Sequence, residues 1–148
     1  MGSSSEAARA LLEQQREGVL ATLSVRHAGW PFASLAPFAL DVHGEPLLLL
    51  SSLAEHTRNL RADARASLLV QDGQGQAGAR LTLLGTVEPV SPDDVDARAR
   101  YLKQHPDARE YLAMLDFFVY VLHVDSVRFI AGFGDMRWID GADFLRTV

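Results

Sequence analysis

The sequence predicts a mainly β protein with short α-helices, folded as a mostly antiparallel barrel. Seven segments have the composition or the apolar alternation of β-strands. The connections between consecutive strands are too short for the crossovers that parallel strands require. The chain has 148 residues, of which 48% are hydrophobic and 22% charged. That size and composition predict one folded domain spanning residues 1–148.

The N-terminal part of the chain predicts a short helix followed by three strands in a meander. Ser3 and Glu6 have the spacing of a capping box, and the apolar stripe after them predicts a helix through Gln15. Apolar alternation then predicts strands at 19–25, 32–40 and 46–51. We expect residues 1–5 to be disordered or vector-derived, with the helix cap as the alternative.

The remaining segments are short helices and strands. Helical spacing predicts a helix at 53–62, which Ser51 or Ser52 would introduce. A capping serine followed by proline at 91–92 predicts the start of a helix that runs to about residue 104. Further strands are predicted at 66–70, 80–90, 117–124 and 127–133, and a tail with Trp138 and Phe144 follows them.

The segment Phe117–Leu122 is apolar on both faces of its predicted strand. A strand that faces water on one side alternates between apolar and polar residues instead. The outer face of this strand therefore needs a cover. A helix of the same chain and a second subunit are both compatible with the pattern.

Composition excludes several classes of function. The sequence contains no cysteine, which rules out disulfides, thiolate metal sites and a cysteine nucleophile and is compatible with the cytoplasm. The net charge of −5 predicts no nucleic-acid partner. The longest apolar runs fall well short of the ~20 residues that cross a bilayer, so we expect no membrane span.

Three sites suggested by sequence motifs receive little support. The glycine pattern at 73–78 matches a dinucleotide-binding fingerprint, but a strand rather than a helix follows it. The five histidines lack the close spacing of ligands on one helix, so we expect no metal held by protein side chains. Ser34 lies in an apolar strand with no acid–base partner near it in sequence, which leaves serine hydrolase chemistry unsupported.

The segment 51–59 is the most informative, because it joins a strand end to a helix start among hydroxyl, imidazole and guanidinium groups. The first amides of a helix attract anions, and Thr57 and Arg58 could complete a phosphate site. Alternatively, Ser52 only caps the helix and the other side chains face solvent. Trp138 lies in a glycine-containing tail, where its indole would pack on a flat ligand or cover the barrel end.

Several blocks of the sequence carry a family resemblance, namely 31–41, 46–60, 65–70, 80–85, 101–108 and 132–134. On these residues the chain resembles the pyridoxamine 5′-phosphate oxidase-like FMN-binding split-barrel superfamily. Within that superfamily it looks most like the heme-utilisation branch, whose longer members carry a C-terminal extension. The resemblance implies a six-stranded antiparallel split β-barrel and a homodimer with FMN at each end of the interface.

The resemblance also assigns roles to individual residues. It places Ser34 and Leu35 on the strand under the flavin and Ser51 and Ser52 beside the phosphate. It places His56 and Thr57 in the phosphate loop and Arg80 facing the isoalloxazine ring. It implies that Phe117–Leu122 lies in the subunit interface.

Departures from the family pattern narrow the function. Pyridoxamine phosphate oxidases have basic side chains where this sequence has Ala33, Phe38, His56 and Thr57, which disfavours oxidation of pyridoxine phosphate. The resemblance then implies an FMN-dependent oxidoreductase that acts on another small-molecule substrate, with the acid or base residue unassigned. A heme-binding or heme-degrading protein and a non-catalytic ligand-binding protein are the alternatives.

Overall fold

A computed structural model describes residues 2–132 and 134–146 of the chain. Its strands are β1 (Glu17–Leu23), β2 (Pro31–Leu40), β3 (Pro46–Ser51), β4 (Arg65–Gln71), β5 (Arg80–Pro89), β6 (Phe117–Gly132) and β7 (Asp135–Asp140). Its helices are α1 (Gly2–Gln14), α2 (Glu55–Ala62), α3 (Val95–Gln104), α4 (Arg109–Leu112) and α5 (Gly141–Phe144).

Six of the strands close into an antiparallel barrel. The sheet order is β3-β2-β1-β4-β5-β6-β7, and an additional pairing of β3 with β6 closes the ring. β7 lies outside the ring and pairs with the second half of β6. The predicted fold class is confirmed, with one strand added to the six of the barrel.

Alternate residues of the barrel strands point inward and form the main core. Its largest fully buried side chains include Leu20, Phe38, Leu48, Leu68, Leu83 and Leu122. Helix α1 packs its apolar stripe, with Leu12 fully buried, into the same core. The helix includes residues 2–5, which the sequence predicts to be disordered. We attribute this difference to the apolar stripe, which anchors the helix.

The C-terminal strands differ from the predicted ones. The two strands predicted at 117–124 and 127–133 form one continuous strand, β6, in which Asp125 is an extra residue at a bulge opposite Leu84 and Gly85. A Cβ at Gly85 would collide with the His123 carbonyl oxygen, so glycine allows this close approach. The predicted tail is strand β7, and Phe133 lies outside the described residues.

Helices α3 and α4 cover the outer face of the two-faced strand. Leu47, Val119 and Val121 point outward from β3 and β6, and they pack in a second core cluster against Tyr101 of α3 and Leu112 of α4. The prediction that a subunit interface covers Phe117–Leu122 is therefore wrong, and the alternative, a helix of the same chain, is correct.

Two helices begin later than predicted. Asp94, rather than Ser91, caps α3, because its carboxylate accepts a hydrogen bond from the Ala97 amide. Helix α2 begins at Glu55, after an N-cap residue, Ala54, whose side chain makes no capping hydrogen bond. The segment 73–78 forms a hairpin loop between β4 and β5 that contains one short 3-10 turn at Gly75–Ala77, and a strand rather than an α-helix follows its glycines.

The outer face of β1, β4, β5 and the first half of β2 is mostly apolar, and its side chains are exposed or partly exposed. We call it the bare face; its members are Val19, Ala21, Leu23, Ala33, Leu35, Leu69 and Leu84. Cross-strand pairing aligns Leu35, Val19 and Leu69 in one row, which Thr82, Arg128 and Trp138 continue. Among the described residues, no helix has the length and hydropathy needed to cross a membrane.

Candidate functional site

The barrel wall opens between β2 and β3. These strands pair only at Phe38–Leu48, Ala39–Leu47 and Leu40–Pro46. The Phe38 amide donates toward β1, to the Arg16 carbonyl oxygen, so the preceding residue, Pro37, faces β3. Proline has no N–H to donate, and the ladder stops there. We call the opening between residues 31–37 and 49–51 the split.

Buried hydrogen bonds fix helix α2 to the end of β1. The side chain of Asn59 is fully buried, donates to the Thr22 hydroxyl at 3.0 Å and accepts from the Val25 amide at 3.0 Å. Asn59 lies three residues after His56, on the same side of the helix. These bonds therefore set where the His56 imidazole lies.

Helix α2 brings His56 to Ser34 of the split. The His56 Nδ1 atom lies 3.2 Å from the Ser34 hydroxyl oxygen, within hydrogen-bond distance. Burial lowers the pKa of His56, because desolvation disfavours the charged imidazolium. The imidazole is therefore neutral at pH 7. The structure thus shows that Ser34 has His56 as a hydrogen-bond partner. The two residues are 22 positions apart, and their contact is not predicted from the sequence.

Ser51 and Ser52 lie at the end of β3, next to a carboxylate. The Ser51 hydroxyl donates to the Asp116 carboxylate at 3.1 Å and accepts from the Leu53 amide. The Ser52 amide donates to the Asp116 carbonyl oxygen at 2.7 Å. The Ser51 hydroxyl and the Ser52 backbone amide thus have partners within the chain, and Asp116 adds negative charge to this end of the strand.

The first turn of α2 contains a fully buried hydroxyl. Thr57 is 0% exposed, and its hydroxyl has no hydrogen-bond partner within the part of the chain that the structure describes. The nearest cation along the helix, Arg58, has its guanidinium 4.0 Å from the Glu55 carboxylate. The helix start therefore holds an unpartnered buried hydroxyl, and its nearest cation lies at the outer limit of an ion-pair distance from Glu55.

The remaining predicted residues lie on the outer sheet face. Leu35 is 70% exposed and belongs to the bare face. At the opposite edge, Trp138 is 62% exposed, and the Arg128 guanidinium carbon lies 5.4 Å from the centre of its ring, a cation–π geometry. Arg80 lies on the neighbouring row of the same face and donates to the Gln76 carbonyl oxygen.

The predicted site residues thus form two groups. Ser34, Ser51, Ser52, His56 and Thr57 lie at the split or in the first turn of α2, whereas Leu35, Arg80 and Trp138 lie on the outer face. Sequence reasoning missed Arg128, Asn59 and Asp116. Of these three residues, only Asn59 could have been found from the sequence. It is a polar residue on the apolar side of α2, and a buried amide requires hydrogen-bond partners.

Comparison with known proteins identifies the family. The sequence model described as "CREG, beta-barrel" matches residues 2–146.

The chain belongs to the CREG β-barrel family.

Individual relatives agree with this assignment. The chain is 37% identical over 129 residues to a chloroplastic "non-canonical heme oxygenase" of Arabidopsis thaliana, and the match covers 86% of this chain and 40% of that protein. A heme binding protein from Mycobacterium smegmatis is 36% identical with a TM-score of 0.88, covering 95% of this chain and 59% of that one. The chain therefore spans about half the length of these relatives.

A more distant structure confirms the barrel type. A protein of the pyridoxinephosphate oxidase family from Clostridium acetobutylicum superposes with a TM-score of 0.75 at 14% identity, over 97% of this chain and 99% of that one. At this identity the likeness concerns the fold. The resemblance to the split-barrel superfamily and its heme-utilisation branch is confirmed.

Proposed function

We propose that this protein binds heme at the junction of two copies, where the bare face of each chain meets the split. The observation that carries the proposal is the uncovered apolar face, which borders the split at one edge and has an arginine over a tryptophan ring at the other. The heme-related names of the relatives that are 37% and 36% identical support it.

A second copy is the proposed cover of the bare face. Exposed leucines on β2, β4 and β5, with Val19 of β1 between Leu35 and Leu69, form an apolar patch of the kind that marks interaction sites. In an isologous dimer with its two-fold axis along the strands, opposite edges of the two faces meet. The Trp138 edge of one copy then lies beside the Ser34 edge of the other, so each site draws residues from both chains.

The residues present fit heme. Its flat apolar body matches the aliphatic and indole surfaces of the bare face. Its two carboxylates match the Arg80 and Arg128 guanidinium groups, which bind carboxylates with paired hydrogen bonds. When bound, heme supplies a redox-active iron. The protein residues hold the ring, exclude water from it and neutralise its carboxylates.

The FMN phosphate fits the α2 start less well. A phosphate dianion there would face the carboxylates of Glu55 and Asp116, with the guanidinium of Arg58 already shared with Glu55. The lowered pKa of His56 leaves that side chain uncharged. Net negative charge around the helix start opposes phosphate binding. FMN is therefore the weaker candidate, and an FMN oxidoreductase remains the second hypothesis.

Parallel titrations with hemin and with FMN test the proposal. We expect about one heme per chain, seen as a shifted Soret band, and FMN binding at least tenfold weaker. Arg128→Ala should weaken heme binding about tenfold, because it removes a charge-assisted contact. Arg100→Ala, on the side covered by α3, is the matched control and should bind heme like the wild-type protein. Tighter binding of FMN than of heme would overturn the proposal.

Ring opening is a second activity to test, because the relative that is 37% identical over 129 residues is named a heme oxygenase. The heme-loaded protein would be given ascorbate and oxygen. Loss of the Soret band with release of an open tetrapyrrole would extend the proposal to catalysis. A Soret band as stable as in the absence of ascorbate would limit it to binding.

A further inference from the structure

We infer that His123 is the protein ligand of the heme iron and that the buried Glu45 positions it. This assignment rests on the proposed function and names the iron-binding residue within the same site. The porphyrin supplies the in-plane ligands of its iron, so a single histidine is sufficient. The assignment follows from the cavity that His123 lines, from its carboxylate partner and from the placement of the other histidines.

The His123 side chain points outward from β6, at the border of the bare face. Its neighbours along the strand, Leu122 and Val124, belong to the buried core, and successive side chains of a strand alternate between faces. A cavity of about 570 Å³ lies on the outer side, and its lining includes His123, Thr86 and Leu84 of the bare face. That volume falls in the range of roughly 300–1,000 Å³ that is typical of cofactor pockets. The imidazole is therefore on the same side of the sheet as the proposed heme.

The spacing between His123 and Arg128 suits heme. Both residues lie on the outer side of β6, where they pair with Thr86 and Thr82, four residues apart on β5. Four residues of a strand span roughly 13 Å. The radius of a porphyrin with its carboxylate side chain, together with an arginine side chain, covers this distance. Iron bound at His123 therefore leaves a heme carboxylate within reach of Arg128.

A buried carboxylate orients the His123 ring. Glu45 is 8% exposed. One of its oxygens accepts a hydrogen bond from the Val124 amide at 2.8 Å, and the other lies 3.1 Å from His123 Nδ1. Because an ionised carboxylate only accepts hydrogen bonds, Nδ1 carries a proton and donates it to this contact. Nε2 is then the nitrogen available to iron, in the carboxylate–histidine–metal arrangement that is common in metalloproteins.

The second contact of the His123 ring is one that iron can replace. Nε2 lies 3.4 Å from a carboxylate oxygen of Glu88, whose side chain is 60% exposed. Exposed pairs of this kind contribute little to stability. Glu88 can therefore turn toward solvent when Nε2 binds iron, whereas the buried Glu45 keeps the ring in place.

The other four histidines do not line this cavity. His56 contacts Ser34, whose side chain is on the core side of β2. The Nε2 atom of His105 lies 2.7 Å from a carbonyl oxygen of β2. His27 and His43 lie on exposed turns before and after β2. Among the described residues, His123 is thus the histidine that combines a place in this cavity with an oriented ring.

Resonance Raman spectra of the reduced hemin complex test the assignment, with the iron–histidine stretching band as the readout. We expect His123→Ala and His123→Gln to lose this band and to bind heme at least tenfold more weakly, and added imidazole to restore the band in His123→Ala. Glu45→Gln should keep the band but shift it to lower frequency, because a neutral amide is a weaker acceptor for the Nδ1 proton than a carboxylate. His27→Ala, which removes an exposed histidine outside the cavity, is the matched control and should match the wild-type protein.

The outcomes separate this assignment from the proposed function. If the His123 variants keep the band of the wild-type protein, or if the wild-type protein binds heme without such a band, the assignment is wrong and heme binding stands. Loss of the band in His27→Ala, or an unchanged frequency in Glu45→Gln, would also overturn it. If the wild-type protein binds no heme, the proposed function fails and the assignment fails with it. Circular dichroism identifies a variant that does not fold; His123→Gln keeps a donor for Glu45 and answers the question if His123→Ala does not fold.

Discussion

The two outer faces of the barrel are both apolar, but the chain covers only one of them. Where β2 ends, Ala39 is buried under α3 together with Leu47 of β3. Four residues earlier on the same side of the same strand, Leu35 is 70% exposed. Apolar alternation therefore shows that a face requires burial, and the position of the nearest helix determines whether the chain itself provides it.

This difference separates a surface that the chain itself covers from one that is open to association. The covered face contributes to the free energy of unfolding of a single chain. The bare face leaves its apolar area available for association, at roughly 25 cal/mol per Å2 of apolar surface removed from water before the costs of binding. Substitutions on the two faces should therefore change different quantities.

The largest expected effect is on the covered face. Leu47→Ala removes a buried side chain that is 1% exposed and should lower the free energy of unfolding by about 2–5 kcal/mol, as cavity-forming substitutions do. Urea unfolding monitored by circular dichroism measures it. Leu115→Ala, which truncates a side chain that is 95% exposed, should have little effect. Equal effects of the two substitutions would show that α3 and α4 do not form the cover.

Alkaline pH should weaken the same covered face. Burial raises the pKa of Tyr101 to about 12, whereas the group in the unfolded chain ionises near 10. The protonated form is therefore favoured by folding, and this contribution is complete below pH 10 and lost as pH rises through 12. We expect a loss of about 2 kcal/mol over that range. Tyr101→Phe should remove this dependence; an unchanged alkaline profile would show that Tyr101 does not ionise in the unfolding reaction.

The bare face should respond through association. Leu35→Asp places a charge in the proposed interface and should raise the dimer dissociation constant at least tenfold, about 1.4 kcal/mol. Leu53→Asp is the matched control, because its side chain is 69% exposed but lies outside the bare face. Sedimentation equilibrium over a range of concentrations measures both. Equal dissociation constants for the two variants, or a monomeric wild-type protein, would contradict a dimer interface on the bare face.

The smallest expected effect concerns ion pairs on the covering helix. Arg100 and Asp96 of α3 lie 2.8 Å apart at an exposed position. Arg100→Ala should change the free energy of unfolding by less than about 0.5 kcal/mol. Urea unfolding measures this change, and the change caused by Leu47→Ala in the same experiment is the reference. A loss comparable to that of Leu47→Ala would mean that charge, rather than apolar contact, attaches the helix.

Local patterns predicted most of the strands, because alternation reports burial at each position. They predicted two strands where β6 is one, because Asp125 interrupts the alternation. The strand continues past Asp125 because Gly85, forty residues earlier in the chain, allows the bulge. They missed β7, whose residues pair with β6 alone and are mostly exposed.

The site was predictable in part. The hydroxyl and imidazole groups of segment 51–59 were recognised, and the resemblance supplied Ser34 and Arg80. The contact between Ser34 and His56 and the packing of Arg128 on Trp138 depend on strand register and on the placement of α2. Those are set by long-range pairing and by the buried bonds of Asn59, which local spacing does not encode.

Sedimentation velocity of the heme-loaded protein, detected at the Soret band, decides whether heme binds at a junction of two copies. We predict that heme sediments with a species of twice the 16.2 kDa chain mass. We also predict that Leu35→Asp loses both this species and most of the bound heme. Heme that sediments with a single chain, or that stays fully bound when Leu35→Asp separates the copies, would contradict it.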